Sequence, residues 1–136
     1  MIQLARRYRF AASHRLHSPQ LTDEQNREIY GKCNNPYGHG HDYVLEVLLR
    51  GEPDARTGLL VPIGQLDEFV KRTVLADYDH KSMNDQIPAF RETPPTTENV
   101  AVEIRERLLR TWPFGEKAAF AGVRIFETRR NVVELQ

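Results

Sequence analysis

Three histidines have the types and spacing to hold a metal ion. His39 and His41 flank a glycine in an HGH triplet, and residues two apart on a β-strand point to the same face, so both could reach one ion. Three neutral imidazoles suit zinc and leave a fourth position for water or substrate, as in catalytic zinc sites. The spacing predicts a Zn²⁺ site with His14, His39 and His41 as ligands, although spacing alone leaves open that they are ordinary hydrogen-bonded side chains.

A thiol and an Asp-His pair are the other candidates for chemistry. Cys33 is the only cysteine and lies shortly before His39, where a thiol near a cation becomes a useful base or nucleophile. Asp79 and His80 are adjacent, and a carboxylate can fix the tautomer of an imidazole and stabilise its charged form. The competing interpretations are a small buried hydrophobe for Cys33 and a polar turn between helices for Asp79-His80.

Two predicted strands would position the histidines. Apolar residues alternate from Ile2 to Ala12, and His14 continues the parity of the apolar face. A second strand is predicted from about His41 to Arg50, with His39 and His41 on its apolar parity. The three side chains would therefore meet if these two strands are neighbours.

The rest of the chain changes from helical to strand periodicity. A helix is predicted from Ile63 to Val74, and a second from Val100 to Trp112 with Thr96 or Thr97 as its cap. Two further strands are predicted at Ala119 to Glu127 and Val132 to Leu135, and a short helix near Asp23 to Ile29. The order ββααββ predicts an α+β fold, an antiparallel four-stranded sheet with two helices on one face.

Composition narrows the class of protein. The 136 residues form a single predicted domain, 1–136, with 40% hydrophobic residues. Lys plus Arg and Asp plus Glu both number 19, so nothing favours nucleic acid or an anionic membrane as a partner. The start lacks the apolar core of a signal peptide, no apolar run could span a bilayer, and the single cysteine suits a reducing compartment, so a cytoplasmic protein is expected. Open sheet edges predict a homo-oligomer.

These motifs resemble the 6-pyruvoyl-tetrahydropterin synthase family, which includes the 6-carboxy-tetrahydropterin synthases. The matching segments, in chain order, are ASHRLHSP (Ala12 to Pro19), GKCNNPYGHGHDY (Gly31 to Tyr43), DH (Asp79 to His80), PTTENVA (Pro95 to Ala101) and FET (Phe126 to Thr128). The resemblance implies the tunnelling fold (T-fold), in which subunits join edge to edge into a β-barrel. It further implies a hexamer of two stacked trimers, with active sites at subunit interfaces.

The resemblance also implies roles for individual residues. His14, His39 and His41 match the zinc ligands, Cys33 matches the catalytic base, and Asp79 and His80 match the pair that assists it. Glu127 matches the residue that anchors the pterin ring, and Thr96 and Thr97 match the segment that lines the pterin pocket. Arg129 and Arg130 either are solvated or meet the substrate triphosphate from a neighbouring subunit.

The implied reaction converts 7,8-dihydroneopterin triphosphate to 6-pyruvoyl-tetrahydropterin and triphosphate. The main alternative is the 6-carboxy-tetrahydropterin synthase of queuosine biosynthesis, which also releases acetaldehyde. Five residues separate Cys33 from the HGH triplet, the pyruvoyl-type pattern, whereas carboxy-type enzymes typically have three. A metal-dependent hydrolase would need a motif such as HExxH, which is lacking, and a non-catalytic zinc or pterin carrier would not need Cys33, Asp79 and His80.

Overall fold

The sheet that carries the candidate site has five strands. A computed structural model describes residues 1–136. Its strands are β1 (Ile2–His14), β2 (His39–Gly51), β3 (Lys81–Ser82), β4 (Ala118–Phe126) and β5 (Val132–Leu135). They lie in the order β3-β1-β2-β4-β5, and every pairing is antiparallel except that of β3 with β1.

Five α-helices accompany this sheet. They are α1 (Asp23–Tyr30), α2 (Ile63–Val70), α3 (Ala76–Tyr78), α4 (Met83–Gln86) and α5 (Thr97–Arg110). A π-helical turn, Lys71–Leu75, joins α2 to α3 without a break, so the predicted first helix continues to Tyr78. The predicted second helix is α5, and α1 matches the predicted short helix, where Thr22 and Gln25 form a capping box.

The register of β1 and β2 settles the faces that sequence parity predicted. Phe10 lies opposite Tyr43, Ala12 opposite His41, and His14 opposite His39. Directly opposed residues of an antiparallel pair share a face of the sheet. The three histidines therefore lie on the core face, as their parity predicted.

The core lies between this face and helices α2 and α5. It combines alternate residues of the central strands with the apolar stripes of the helices, among them Leu45, Val47, Val123, Leu66, Phe69, Ile104 and Leu108, each at most 2% exposed. The opposite face carries charge instead. There Glu46 accepts hydrogen bonds from Arg7 at 2.6 Å and Arg124 at 3.2 Å, which lets a carboxylate that is only 5% exposed remain paired.

The prediction of a four-stranded antiparallel sheet is wrong because it lacks one strand. β3 pairs in parallel with Ala12 and Ser13 of β1 and makes the sheet mixed. A two-residue strand has no periodicity to detect, and its position depends on a tertiary contact, since the His80 N–H donates to the Ala11 carbonyl at 2.6 Å. His80 reaches this contact with a φ of 60°, in the left-handed region that residues with a Cβ rarely adopt.

No helix of the structure combines the length and the apolar character that crossing a membrane requires.

Candidate metal centre

The structure brings the imidazoles of His14, His39 and His41 together at the end of the β1–β2 ladder. One ring nitrogen of each lies within 4.8 Å of the other two. The Nε2 atoms of His14 and His39 are 3.2 Å apart, and the rings stand nearly perpendicular to one another with centroids 4.7 to 5.0 Å apart. Such a cluster, with nitrogens converging on one point, can hold a single ion.

A backbone carbonyl fixes the orientation of His14. Its Nδ1 lies 2.8 Å from the carbonyl oxygen of Pro95. A carbonyl only accepts hydrogen bonds, so neutral His14 must carry its proton on Nδ1 and keep the Nε2 lone pair free. A metal-binding histidine usually donates its other N–H in this way. The Tyr43 hydroxyl, 3.3 Å from the same Nδ1, completes the support behind the ring.

Burial keeps these ligands in the form that a metal requires. Desolvation lowers the pKa of His14 and of His41, so both imidazoles stay neutral at neutral pH. His41 Nε2 is also buried without any hydrogen-bond partner in the chain. A buried polar atom without a partner is costly, and a cation would relieve that cost. The donor set therefore fits a zinc-type ion.

Glu127 lies at the edge of this cluster, one residue beyond the end of β4. Its Oε2 is 4.0 Å from His14 Nε2 and accepts a hydrogen bond from the Thr97 hydroxyl at 2.6 Å. The Asn131 amide donates to its Oε1 at 3.3 Å. Burial acts to raise the pKa of Glu127, but these hydrogen bonds and the nearby histidines outweigh it, so the pKa lies below the ordinary value for a glutamate. The group is an ionised acceptor beside the metal cluster.

The two threonines predicted in the same pocket have different contacts. Thr96 is the N-cap of α5, where its hydroxyl accepts a hydrogen bond from the Asn99 N–H at 3.2 Å. Thr97, only 1% exposed, directs its hydroxyl to Glu127 instead. The start of α5 thus positions the carboxylate through Thr97, while Thr96 stabilises the helix itself.

Cys33 lies in a 3-10 turn, Gly31–Asn34, close to the same region. The Leu16 N–H donates to its carbonyl at 2.9 Å, which ties the turn to the end of β1. The thiol is half-buried and contributes, after burial and Glu127, to raising the pKa of Tyr43. It is not one of the clustered ligand atoms.

Asp79 and His80 lie along the edge of β1 that faces away from β2. Asp79 accepts a hydrogen bond from the Ala11 N–H at 2.9 Å, and its other oxygen lies 3.7 Å from His80 Nε2. The His80 side chain is 83% exposed, and it lines a cleft of about 400 Å³ together with His41. Within one chain, no hydrogen bond joins this pair to Cys33.

Comparisons with known proteins place this geometry in a family. The sequence profile described as "6-pyruvoyl tetrahydropterin synthase" matches residues 3–136. The chain belongs to this family. The human protein named 6-pyruvoyl tetrahydrobiopterin synthase is 40% identical over 131 residues, covering 96% of this chain and 88% of that protein. The resemblance predicted from the motifs is confirmed.

The fold comparison agrees with the sequence comparison. The structure of Caenorhabditis elegans 6-pyruvoyl tetrahydropterin synthase matches with a TM-score of 0.92 and 36% identity, covering 99% of this chain and 94% of that one. A Rickettsia felis protein named 6-carboxy-5,6,7,8-tetrahydropterin synthase is 25% identical over 150 residues, covering 99% of this chain and all of that protein. Both branches predicted from the sequence are therefore among the relatives of this family member.

Three groups that position the site were not predicted from the sequence of this synthase family member. Tyr43 continues the parity of His39 and His41, so its place beside the histidines could have been predicted from the strand pattern. The Pro95 carbonyl and the Asn131 amide left no such signal, because both act through contacts between segments distant in sequence. The roles predicted for the metal ligands, Cys33 and Glu127 remain predictions.

Proposed function

We propose that this protein is a zinc-dependent lyase that converts 7,8-dihydroneopterin triphosphate to 6-pyruvoyl-tetrahydropterin and triphosphate. The observation that carries the proposal is the ionised Glu127 carboxylate, 4.0 Å from a cluster of three histidines. This combination offers a metal site and a pterin anchor side by side. The relatives that are about 40% identical over most of the chain carry the corresponding synthase name.

His14, His39 and His41 would hold the ion, which when bound would polarise the hydroxyls of the substrate side chain. Glu127 would bind the pterin ring, because an ionised carboxylate can accept two hydrogen bonds from the adjacent N–H groups of an aminopyrimidinone edge. Thr97 orients that carboxylate and keeps it ionised. The pterin is thereby held with its side chain toward the histidines.

Cys33 would remove and return a proton on the substrate side chain, with Asp79 and His80 assisting the transfer. The reaction is an internal redox shift followed by elimination of triphosphate, so no external electron acceptor is required. The exposed position of His80 supports a site that is completed on assembly, where a surface imidazole of one subunit approaches the Cys33 of another.

The assembly that suits this chemistry is a homohexamer, a dimer of trimers in which sheets join edge to edge into β-barrels. The chain would act as a single domain in the cytoplasm, with a small-molecule pterin triphosphate as its substrate and neither nucleic acid nor a membrane as a partner.

The pyruvoyl product is favoured over the carboxy product by two observations. The Cys33-to-HGH spacing is of the pyruvoyl type, and the relative with the carboxy-type name is 25% identical, against 40% for the human protein with the pyruvoyl-type name. A carrier without catalysis is disfavoured because Cys33, Asp79 and His80 are all present.

The test is to incubate the purified protein with 7,8-dihydroneopterin triphosphate and identify the products by mass spectrometry. The proposal predicts triphosphate and a pyruvoyl pterin, and no turnover by Cys33→Ala although that variant keeps its metal. Acetaldehyde with a carboxypterin would assign the sister activity. Absence of turnover by the unsubstituted protein would contradict the proposal, and metal loss in Cys33→Ala would make Cys33 a ligand.

A further inference from the structure

A second cleft lies next to the metal cluster and is bordered by cations. It has a volume of about 710 Å³, and apart from Gly31 and Pro36 its lining side chains are all polar. Arg15, Arg27 and Lys32 contribute three positive charges, whereas Asp23 is the one acid in the lining. The net charge of the cleft is positive in a chain whose overall formal charge is zero.

This cleft adjoins the region of His14 and Cys33. Arg15 and His17 also line a neighbouring cleft of about 360 Å³ that contains the metal-cluster residue His14. Lys32 directly precedes Cys33 in the chain. Both sequence neighbours of Cys33, Lys32 and Asn34, line the cationic cleft, so this cleft lies where the tail of a substrate held at Cys33 would be near.

The three cations have no carboxylate partners. Five arginines elsewhere in the chain form ion pairs, as Arg6 does with Asp67 and Arg124 does with Glu134. No ion pair involves Arg15, Arg27 or Lys32, and the single side-chain hydrogen bond among them runs from Arg15 Nε to the Asn34 carbonyl at 3.1 Å. The other guanidinium N–H groups of Arg15 remain available to an anion.

A buried amide fixes the orientation of one more hydrogen-bond donor for the same cleft. Asn34, 5% exposed, donates through Nδ2 to the Leu16 carbonyl at 2.7 Å, and the same Nδ2 lies 3.0 Å from His17 Nδ1. The carbonyl can only accept, which fixes the amide orientation and makes His17 Nδ1 an acceptor as well. Neutral His17 must then carry its proton on Nε2, which has no partner within the chain.

We propose that this cleft binds the triphosphate tail of the substrate, with Arg15, Arg27, Lys32 and the Nε2–H of His17 as its donors. The inference rests on the proposed function for the identity of the tail. Phosphate oxygens bind arginine and lysine through strong charge-assisted hydrogen bonds. Asn34 is a positioning residue, since it acts on the ligand only through His17.

The test compares two ligands that differ only in the tail, 7,8-dihydroneopterin and its triphosphate. Their dissociation constants are measured by pterin fluorescence in metal-loaded Cys33→Ala, which prevents turnover. Adding Arg27→Gln and Lys32→Gln together should weaken triphosphate binding about tenfold or more and leave dihydroneopterin binding unchanged. Both residues are exposed, so the variant should fold.

The control pair is Arg129→Gln with Arg130→Gln, on the turn between β4 and β5. Unchanged triphosphate affinity in this control supports the cleft, whereas a loss here and none in the cleft variant would place the tail at that turn and overturn the proposal. If dihydroneopterin binds and the cleft variant loses nothing, only the cleft proposal fails. If neither pterin binds metal-loaded Cys33→Ala whose cleft residues are unsubstituted, the proposed function fails, and the cleft proposal fails with it.

The tautomer of His17 gives a readout that is independent of activity. Long-range ¹H–¹⁵N NMR correlations distinguish a proton on Nε2 from one on Nδ1. The unsubstituted protein should show the Nε2–H form, and Asn34→Asp should shift His17 to Nδ1–H, because a carboxylate can only accept. That variant should also bind the triphosphate more weakly. An Nδ1–H form in the unsubstituted protein would remove His17 from the donor set.

Discussion

The Thr97–Glu127 contact decides the charge of the group proposed to anchor the pterin. The Thr97 hydroxyl donates to the carboxylate at 2.6 Å and contributes to holding the pKa of Glu127 below its ordinary value despite burial. A carboxylate whose pKa is lowered by folding contributes stability above its unfolded pKa, and that stability disappears as the pH falls through the folded pKa. The contact should therefore be measurable through its dependence on pH.

Replacing Thr97 with valine should lower the free energy of unfolding by about 1.5 to 3 kcal/mol at pH 7, the range for a hydrogen bond to a charged group. The difference from the unsubstituted protein should shrink as the pH falls from about 5 toward 3, because Glu127 becomes neutral in both proteins. Urea unfolding at several pH values measures it.

The matched control is Thr73→Val, which makes the same chemical change at a half-buried site whose hydroxyl has no hydrogen-bond partner. It should show little dependence on pH over this range. A difference between Thr97→Val and the unsubstituted protein that stays constant from pH 7 to pH 3 would mean that the hydroxyl does not act on the Glu127 charge.

At the scale of elements, α5 depends on its first turn. The Thr96 hydroxyl caps it by accepting from the Asn99 N–H. Thr96→Ala should lower the free energy of unfolding by about 0.5 to 2 kcal/mol, measured by thermal or urea unfolding. Thr96→Ser keeps the capping oxygen and should restore most of that loss. An equal loss in both variants would show that the methyl group, rather than the cap, matters.

The loop from Cys33 to β2 depends on Gly38. Its φ is +71°, and a Cβ there would lie 2.9 Å from the backbone carbonyl oxygen of His14. Gly38→Ala should therefore displace the end of β1 and weaken metal binding, in addition to a cost of about 1 kcal/mol for the left-handed conformation. Zinc affinity is measured by competition with a chromophoric chelator.

Gly58→Ala is the matched control, since Gly58 has a φ of +73° but open space around the added Cβ. It should lose a similar amount of stability and keep its zinc affinity. Equal zinc affinity in the two variants would contradict the claim that Gly38 positions the metal ligand.

The long elements of the fold could be predicted because each carries its own periodicity. Alternation placed His14, His39 and His41 on one face, and the register His14 opposite His39 agrees with it. The two-residue β3 could not be predicted, since a contact to Ala11 creates it. The contact between Thr97 and Glu127 could not be predicted from periodicity either, because it joins α5 to the end of β4. Only the family resemblance placed both residues in one pocket.

At the scale of the whole molecule, the sheet has edges whose backbone N–H and C=O groups lack a partner strand. β3 pairs only with Ala12 and Ser13, so most of the outer edge of β1 is left open, as is the outer edge of β5. Such edges readily pair with another chain. Sedimentation should therefore find a hexamer, and a mass of one chain at all concentrations would contradict that assembly.

Arg9 offers a direct test of edge pairing. The N–H and C=O of Ala11 point away from β2, toward Asp79 and His80, and backbone direction alternates along a strand, so the N–H of Arg9 points outward too. Arg9→Pro removes that donor without breaking the β1–β2 ladder and should dissociate the assembly, whereas Arg9→Ala should not. A hexamer that survives Arg9→Pro would exclude pairing through this part of β1.

The proposed function depends first on the three-histidine metal site, and metal analysis tests that site most directly. Protein purified without chelators should contain about one equivalent of zinc per chain by mass spectrometry of the elements. His41→Ala, which removes the ligand whose Nε2 is buried without a partner, should lose it while keeping its circular dichroism spectrum. Stoichiometric zinc in His41→Ala, or no zinc uptake by the unsubstituted protein, would contradict the three-histidine site.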